Sequence, residues 1–306
     1  MSAVSMQVRE HCIACRQPTV RDGRGFACTS CGLSLRTDDE GLLVPIRTLS
    51  GAAHSEVSYP ESGADAMKSV EDTSFWFRHR NEVLTIVLDR FAGAQSVVWD
   101  VGGGNGFQAS KLQQCGREVV LLEPGRRGCL NALGRGVTSV VCGTIGALEL
   151  RAGAVDAMCL LDVIEHLPDP VDVLAECARV LRSDGTLVVT VPAHQALWSD
   201  EDDYAEHHRR YTKRLLAKEL GAAGLRLEFA SYFFQPLVIP ILLVRALPHR
   251  LSFRRGTKAG ADLSDHGNGG WSQRALEVLL EREARALRAG RTLAFGSSII
   301  AVARPV

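Results

Sequence analysis

The chain has 306 residues, with 35 Lys+Arg balanced by 35 Asp+Glu, a length that suits one large domain plus a small one. Its 46% hydrophobic and 23% charged content excludes collagen-like and wholly disordered classes. Zero net charge argues against a protein held mainly by nucleic-acid phosphates, which carries a basic footprint.

Nine cysteines are an odd number. Five of them (Cys115, Cys129, Cys142, Cys159 and Cys177) fall in apolar or helical stretches, the pattern of free buried thiols in a reducing compartment. The start, MSAVSMQVREHC, lacks the apolar core of a signal peptide. No apolar run reaches the ~18 residues of a membrane-spanning helix. A cytoplasmic location is expected.

Residues 1–46 carry the first motif. Cys12-x-x-Cys15 and Cys28-x-x-Cys31 are two knuckles separated by twelve residues. Each knuckle sets two thiolates at the tip of a tight turn, and two tips make a tetrahedral four-cysteine zinc site. Four thiolates leave no open coordination position, so the predicted Zn2+ is structural. Residues 47–70 are rich in Ser, Ala and Gly without periodicity and read as a linker.

Residues 71–306 alternate strand-like and helix-like segments. Val83, Leu84, Val87, Leu88 and Phe91 share one helical face. Strands are predicted over Ser96–Asp100, Val119–Glu123, Val137–Cys142, Val155–Asp162, Thr186–Val191, Leu225–Phe234 and Thr292–Ala303. Helices are predicted over Val171–Leu181 and Ser272–Ala289. Alternation of this kind gives a Rossmann-like, doubly wound α/β sheet of about seven strands, mostly parallel.

An insert at 235–270 interrupts the pattern. Residues 229–261 hold no acid and five bases: Arg245, Arg250, Arg254, Arg255 and Lys258. An apolar run followed by bases suits a membrane surface. It equally suits a buried helix and loop that roof the substrate pocket or make a dimer contact. Pro236 and Pro240 favour the buried reading, because they spoil an amphipathic helix.

The central motif is the loop Asp100-Val-Gly102-Gly103-Gly104-Asn105-Gly106 after a strand. Gly104-x-Gly106-x-x-Ala109, with Glu123 about 20 residues on, formally fits a dinucleotide fingerprint. A nicotinamide-dependent oxidoreductase is therefore carried as an alternative. Asp100 points elsewhere: a carboxylate there repels a pyrophosphate and favours a cationic ligand. A second polar cluster, Asp162-Val-Ile-Glu165-His166, stands at another strand end, where open α/β sheets bind ligands.

These segments resemble the class I S-adenosylmethionine-dependent methyltransferases of the bacterial small-molecule type. WDVGGGNG is similar to the family's first motif and VVLLEP to its second. LLDVIEHLPDP and ARVLRSDGTLVVTVPA are similar to the segments around its fourth and fifth strands. FWFRHRN and LWSDEDDYAEHHRRYT resemble its cap helix and a later segment. The resemblance covers roughly residues 72–230 and 290–305, and it implies an antiparallel last strand.

Carried onto this chain, the resemblance implies that Gly102, Gly104 and Gly106 line the loop beneath the methionyl part of S-adenosylmethionine. It puts Asp100 near the amino group, Glu123 on the ribose hydroxyls and Asp162 at the methionine end. The acid that many members place on the adenine amine is missing from Cys142-Gly143-Thr144-Ile145, which leaves Thr144 or backbone for that contact. Arg80 and Arg78 of the cap either meet the cofactor carboxylate or reach to solvent.

A hydroxyl acceptor calls for a general base, and His166, His194, His207 and Asp202 are the candidates. Glu165-His166 either rims the pocket or caps the next helix, and Ser199–Tyr211 is either a substrate lid or a self-neutralised surface. The acceptor is expected to be a small or lipid-like metabolite. The ribbon resembles that of certain ribosomal-RNA guanine methyltransferases, so RNA methylation through Arg9, Arg16, Arg21 and Arg24 is the runner-up. A non-catalytic zinc-ribbon binding module is the remaining alternative.

Overall fold

The structure is a computed structural model. It describes residues 11–23, 25–46, 65, 68, 70–72, 74–251 and 271–306. The linker expected at 47–70 and the bases Arg9, Arg24, Arg254, Arg255 and Lys258 lie mostly or wholly outside those residues.

Seven strands form the body of the sheet: β5 (Val98–Val101), β6 (Val119–Glu123), β7 (Val140–Cys142), β8 (Val155–Leu161), β9 (Leu181–Pro192), β10 (Leu225–Phe233) and β11 (Ser298–Pro305). Their order is β7-β6-β5-β8-β9-β11-β10. β7, β6, β5, β8 and β9 run parallel, whereas β11 is antiparallel to both of its neighbours. Every expected strand is present, Val119–Glu123 with the same ends and the others with shifted ends.

The alternation of side chains explains why the sheet is covered on both faces. Trp99, Val101, Val120, Leu122, Met158 and Leu160 pack into one buried cluster. Val98, Val119, Leu121, Ala157, Cys159 and Leu161 pack into the other, with Val83, Leu84, Val87 and Leu88 of the helix Phe75–Phe91. Residues buried on both faces read as continuous apolar runs, the mark of parallel strands.

One feature departs from the sequence reading. The sheet has eleven strands, because the cysteine-bearing segment extends it. β1 (Val20–Asp22), β2 (Gly25–Ala27), β3 (Ser34–Thr37) and β4 (Leu43–Pro45) form an antiparallel meander, and β4 joins β7 in parallel at Leu43↔Val141. Ile13, Phe26, Leu33 and Leu35 belong to the same apolar cluster as Trp99 and Leu122. Charged contacts add to the join: Arg126 pairs with Asp38 and Glu40, and Arg16 with Glu118.

The insert is helical over its described part. Residues 235–250 form consecutive helical turns despite Pro236 and Pro240, since a proline is tolerated at the start of a turn. The helix is not buried: Ile239 is 66% exposed, and Leu243, Val244 and Leu251 are exposed with it. Among the five cysteines expected to be buried, Cys115 is exposed, because it caps the helix Phe107–Gln114 at the surface.

β5 stands between β6 and β8, so the chain departs from it in opposite directions on its two sides. The carboxyl end of β5 is thus the topological switch point, where a crevice opens in sheets of this kind.

Candidate active site at the carboxyl edge of the sheet

The glycine loop leaves β5 at the switch point. Gly102 and Gly106 both have φ +75°, a left-handed conformation that favours glycine. Space forbids a side chain as well. A Cβ on Gly102 would lie 2.7 Å from Val163 Cγ2, and one on Gly106 would lie 2.6 Å from Ala132 Cβ. Gly106 then starts the helix Phe107–Gln114.

Two carboxylates flank this loop. Glu123, the last residue of β6, accepts from the Gly104 N–H at 3.0 Å and the Gly125 N–H at 2.7 Å. It ties the loop to the neighbouring strand while burial pushes its pKa up. Asp100 in β5 is 1% exposed, and its Oδ2 has no hydrogen-bond partner. Burial pushes its pKa up to about 7; Arg80 works against the shift and Glu123 adds to it.

Arg80 comes from the helix Phe75–Phe91, whose first turn is capped by the Ser74 side chain on the Trp76 N–H. Arg80 is buried, and its guanidinium lies 4.6 Å from the Trp76 ring centre and pairs with Asp162. It does not reach to solvent, whereas Arg78 is exposed. Asp162 follows β8 directly with φ +56°. Thr144 is half-buried just past β7, beside the edge where Glu123 pairs with Cys142. Arg80, Asp100, the glycine loop, Glu123, Thr144 and Asp162 therefore lie along one edge of the sheet.

A second group adjoins Asp162. Glu165, His166 and His207 bring one ligand-capable atom each to within 4.8 Å of one another. The His166 and His207 rings meet edge-to-face with centres 4.7 Å apart. Burial pushes the His166 pKa down to about 4, with His207 adding to the shift. Glu165 is fully buried with both carboxylate oxygens unpartnered. Burial and then the Asp162 carboxylate push its pKa well above the usual carboxylate range.

Asp202 differs from the role the sequence suggested. It is fully buried and accepts from Ser199 N at 2.9 Å, His207 Nδ1 at 2.8 Å and Arg210 Nε at 2.8 Å. Burial opposes its ionisation, but His207 and Arg210 hold its pKa below the usual value. A carboxylate so engaged positions His207 and is no free base. His194 stands apart from the pair of imidazoles, stacked on Tyr232 at 4.9 Å; burial pushes its pKa down.

Sequence reasoning missed the environment of Glu165. The available signal was an acid set among Val163, Ile164 and Leu167. It also missed the buried His79–Glu283 pair at 2.8 Å, which locks the cap helix to the helix Trp271–Arg288. Its partners are 204 positions apart, so no local motif announces it.

The cysteines form a separate centre. Cys12 and Cys31 have Sγ atoms 3.4 Å apart, as do Cys15 and Cys28, and all four lie within 4.8 Å of one another. Arg16 and Gly32, each just after a knuckle, adopt positive φ. Four thiols converging in this way fit a tetrahedral ion with Zn–S bonds of about 2.3 Å.

Comparison with known proteins decides the class of the crevice. Residues 99–189 match the family described as a methyltransferase domain. The chain carries a methyltransferase domain of the S-adenosylmethionine-dependent type. It is 27% identical over 172 residues to a Mycolicibacterium smegmatis protein named as a probable S-adenosylmethionine-dependent methyltransferase, covering 55% of this chain and 66% of that one. It is 28% identical over 169 residues to a ubiquinone biosynthesis O-methyltransferase of Xanthomonas axonopodis pv. citri, covering 48% of this chain and 70% of the relative. The fold is also that of Haemonchus contortus phosphoethanolamine N-methyltransferase 2, solved with S-adenosyl-L-methionine. There the TM-score is 0.51 at 16% identity, over 82% of this chain and 59% of that one. The nicotinamide and non-catalytic alternatives give way to this assignment.

The state of Asp100 gives a first prediction. Its pKa is raised on folding, so its contribution to stability is present below about 4 and is lost as pH rises through about 7. Denaturant unfolding of the ligand-free protein should show stability falling across that window, by at most about 1.4 kcal/mol per pH unit from this group. Asp100→Asn should flatten the slope. An unchanged slope would show that Asp100 is ionised throughout.

Proposed function

We propose that this chain transfers a methyl group from S-adenosylmethionine to a small-molecule or lipid-like acceptor bearing a hydroxyl. One observation carries the reading. At the switch-point edge, the cationic-ligand residues Asp100, Glu123, Arg80 and Asp162 adjoin a second cluster, Glu165, His166 and His207, suited to an acceptor.

S-adenosylmethionine supplies an electrophilic methyl on a sulfonium that leaves as a neutral thioether. The chain's residues bind and align. Asp100 would hold the donor's ammonium, Glu123 its ribose hydroxyls, Arg80 and Asp162 its amino-acid end, and Thr144 its adenine. Gly102, Gly104 and Gly106 let the backbone approach closely. Alignment alone supplies much of the rate in such a displacement.

A hydroxyl acceptor would lose its proton as it takes the methyl group, so a neutral base near the acceptor would help. His166 is neutral at physiological pH and lies at the crevice edge with His207. Asp202 fixes the ring of His207 through Nδ1 and leaves Nε2 for other partners. The hydroxyl acceptor is supported by the Xanthomonas relative, which is named an O-methyltransferase. A lipid-like acceptor is supported by the exposed apolar face at Ile239, Leu243, Val244 and Leu251, which suits contact with a membrane surface. Among the described residues, no helix is long and apolar enough to cross a membrane.

The four cysteines are proposed to hold a structural Zn2+. Its role is to fix the ribbon against the sheet. RNA recognition by the ribbon is disfavoured because Arg16 is engaged by Glu118 and by the Gln95 carbonyl.

Two outcomes test these assignments. Trideuteromethyl-labelled donor incubated with a cell extract should deliver label to the organic or small-metabolite fraction, and Glu123→Ala should reduce donor affinity at least tenfold in calorimetry. Label in RNA would overturn the acceptor class, and full affinity in Glu123→Ala would overturn the site. Elemental analysis should find one zinc per chain, and Cys28→Ser should lower both zinc content and melting temperature. Zinc-free wild-type protein of equal stability would contradict the structural role.

A further inference from the structure

Glu165, His166 and His207 form a group that methyl transfer by alignment does not require. We propose that they are a binding site for a divalent transition-metal ion, placed to take an acceptor oxygen as a further ligand. This rests on the reading that the acceptor occupies this edge of the crevice.

The geometry supplies three converging donors. One carboxylate oxygen and two imidazole nitrogens lie within 4.8 Å of one another. Donors bound about 2.1 Å from one ion stand about 3–4 Å apart, so only a small closure separates the present positions from ligation. Two imidazoles and one carboxylate make a facial set that leaves further positions open, the arrangement that nitrogen-binding divalent ions accept.

The surroundings are built as a ligand set is built. Metal-binding histidines have their second ring nitrogen fixed by a carboxylate or a backbone carbonyl. His207 Nδ1 is held by Asp202 at 2.8 Å, and Asp202 is itself held by Ser199 and Arg210. His166 is hydrogen-bonded to the Ala205 backbone. Both rings thus keep one nitrogen for the cluster.

Glu165 is the second, independent observation. It is fully buried and neither oxygen has a partner. A buried polar group without a partner is costly, and a cation would supply one. The other charged groups near Glu165 are Asp162, Arg80 and Arg210. Arg80 is paired with Asp162 and Arg210 with Asp202, so the two arginines are already engaged. An ion here would lower the pKa of a bound acceptor hydroxyl. The proton would then leave to water, and the acceptor oxygen would attack the methyl while still held in place.

Mn2+ is the probe, because it avoids the thiolates of the cysteine centre and is read directly by electron paramagnetic resonance. Zinc-loaded full-length protein should bind one Mn2+ per chain. Glu165→Gln and His166→Gln should each weaken that binding at least tenfold while leaving donor affinity and the circular dichroism spectrum unchanged. Absence of Mn2+ binding, or variants that bind Mn2+ as tightly as the wild-type protein, would overturn the proposal. Donor affinity is measured on the same samples. If donor binds and Mn2+ does not, this proposal alone fails; if donor does not bind, the methyltransferase reading fails first.

Discussion

Burying a carboxylate without a partner costs several kcal/mol unless something repays it, and the arrangement of this crevice turns on that cost. Asp100 and Glu165 both sit at the carboxyl edge of the parallel strands; among the described residues, one oxygen of Asp100 and both of Glu165 have no hydrogen-bond partner. A chain selected only for stability would fill these positions with apolar side chains of similar size, as it does at the neighbouring Val98 and Ile164. Retained carboxylates imply ligands that carry positive charge. Asp100 beside the glycine loop suits an ammonium, and Glu165 between two imidazoles suits a metal ion. Burial raises the pKa of both groups in the unliganded fold, and a cationic ligand would favour their ionised forms.

The remaining charged groups keep these two sites apart. Arg80 is buried against the rings of Trp76 and Phe77 and bound to Asp162. Asp202 neutralises Arg210 and orients His207 at the same time. The His79–Glu283 pair fixes the cap helix from outside, with Glu283 also accepting from the Phe234 and Gln235 N–H groups. The insert is tied back to the same region through His249 to Asp200 and Arg245 to Glu201. The walls of the crevice are therefore cross-linked by polar contacts.

Much of this was legible in the sequence. The parallel strands announced themselves as apolar runs, and Asp100, Glu123 and Asp162 stood out as acids at strand ends. The cysteine spacing led to four thiols that do converge. What the sequence withheld is what depends on distant partners. The join of Leu43 to Val141 makes the ribbon part of the main sheet, and a single bridge leaves no pattern in either segment. The sequence also left open which face of the insert is covered, because hydrophobicity alone does not say so; Ile239 and Leu243 are exposed. His166, His194, His207 and Asp202 looked equivalent as candidate bases. Only the fold separates the His166–His207 pair from the holder Asp202 and from His194, stacked on Tyr232.

The central claim is that the donor site holds a carboxyl group waiting for a cation. Proton exchange on binding measures it most directly. Calorimetric titration of S-adenosylmethionine at a pH of about 6.5, repeated in buffers of different ionisation enthalpy, counts the protons released. The account predicts release of a fraction of a proton as Asp100 ionises against the ammonium, and none from Asp100→Asn. Binding with no proton release in the wild-type protein would contradict it.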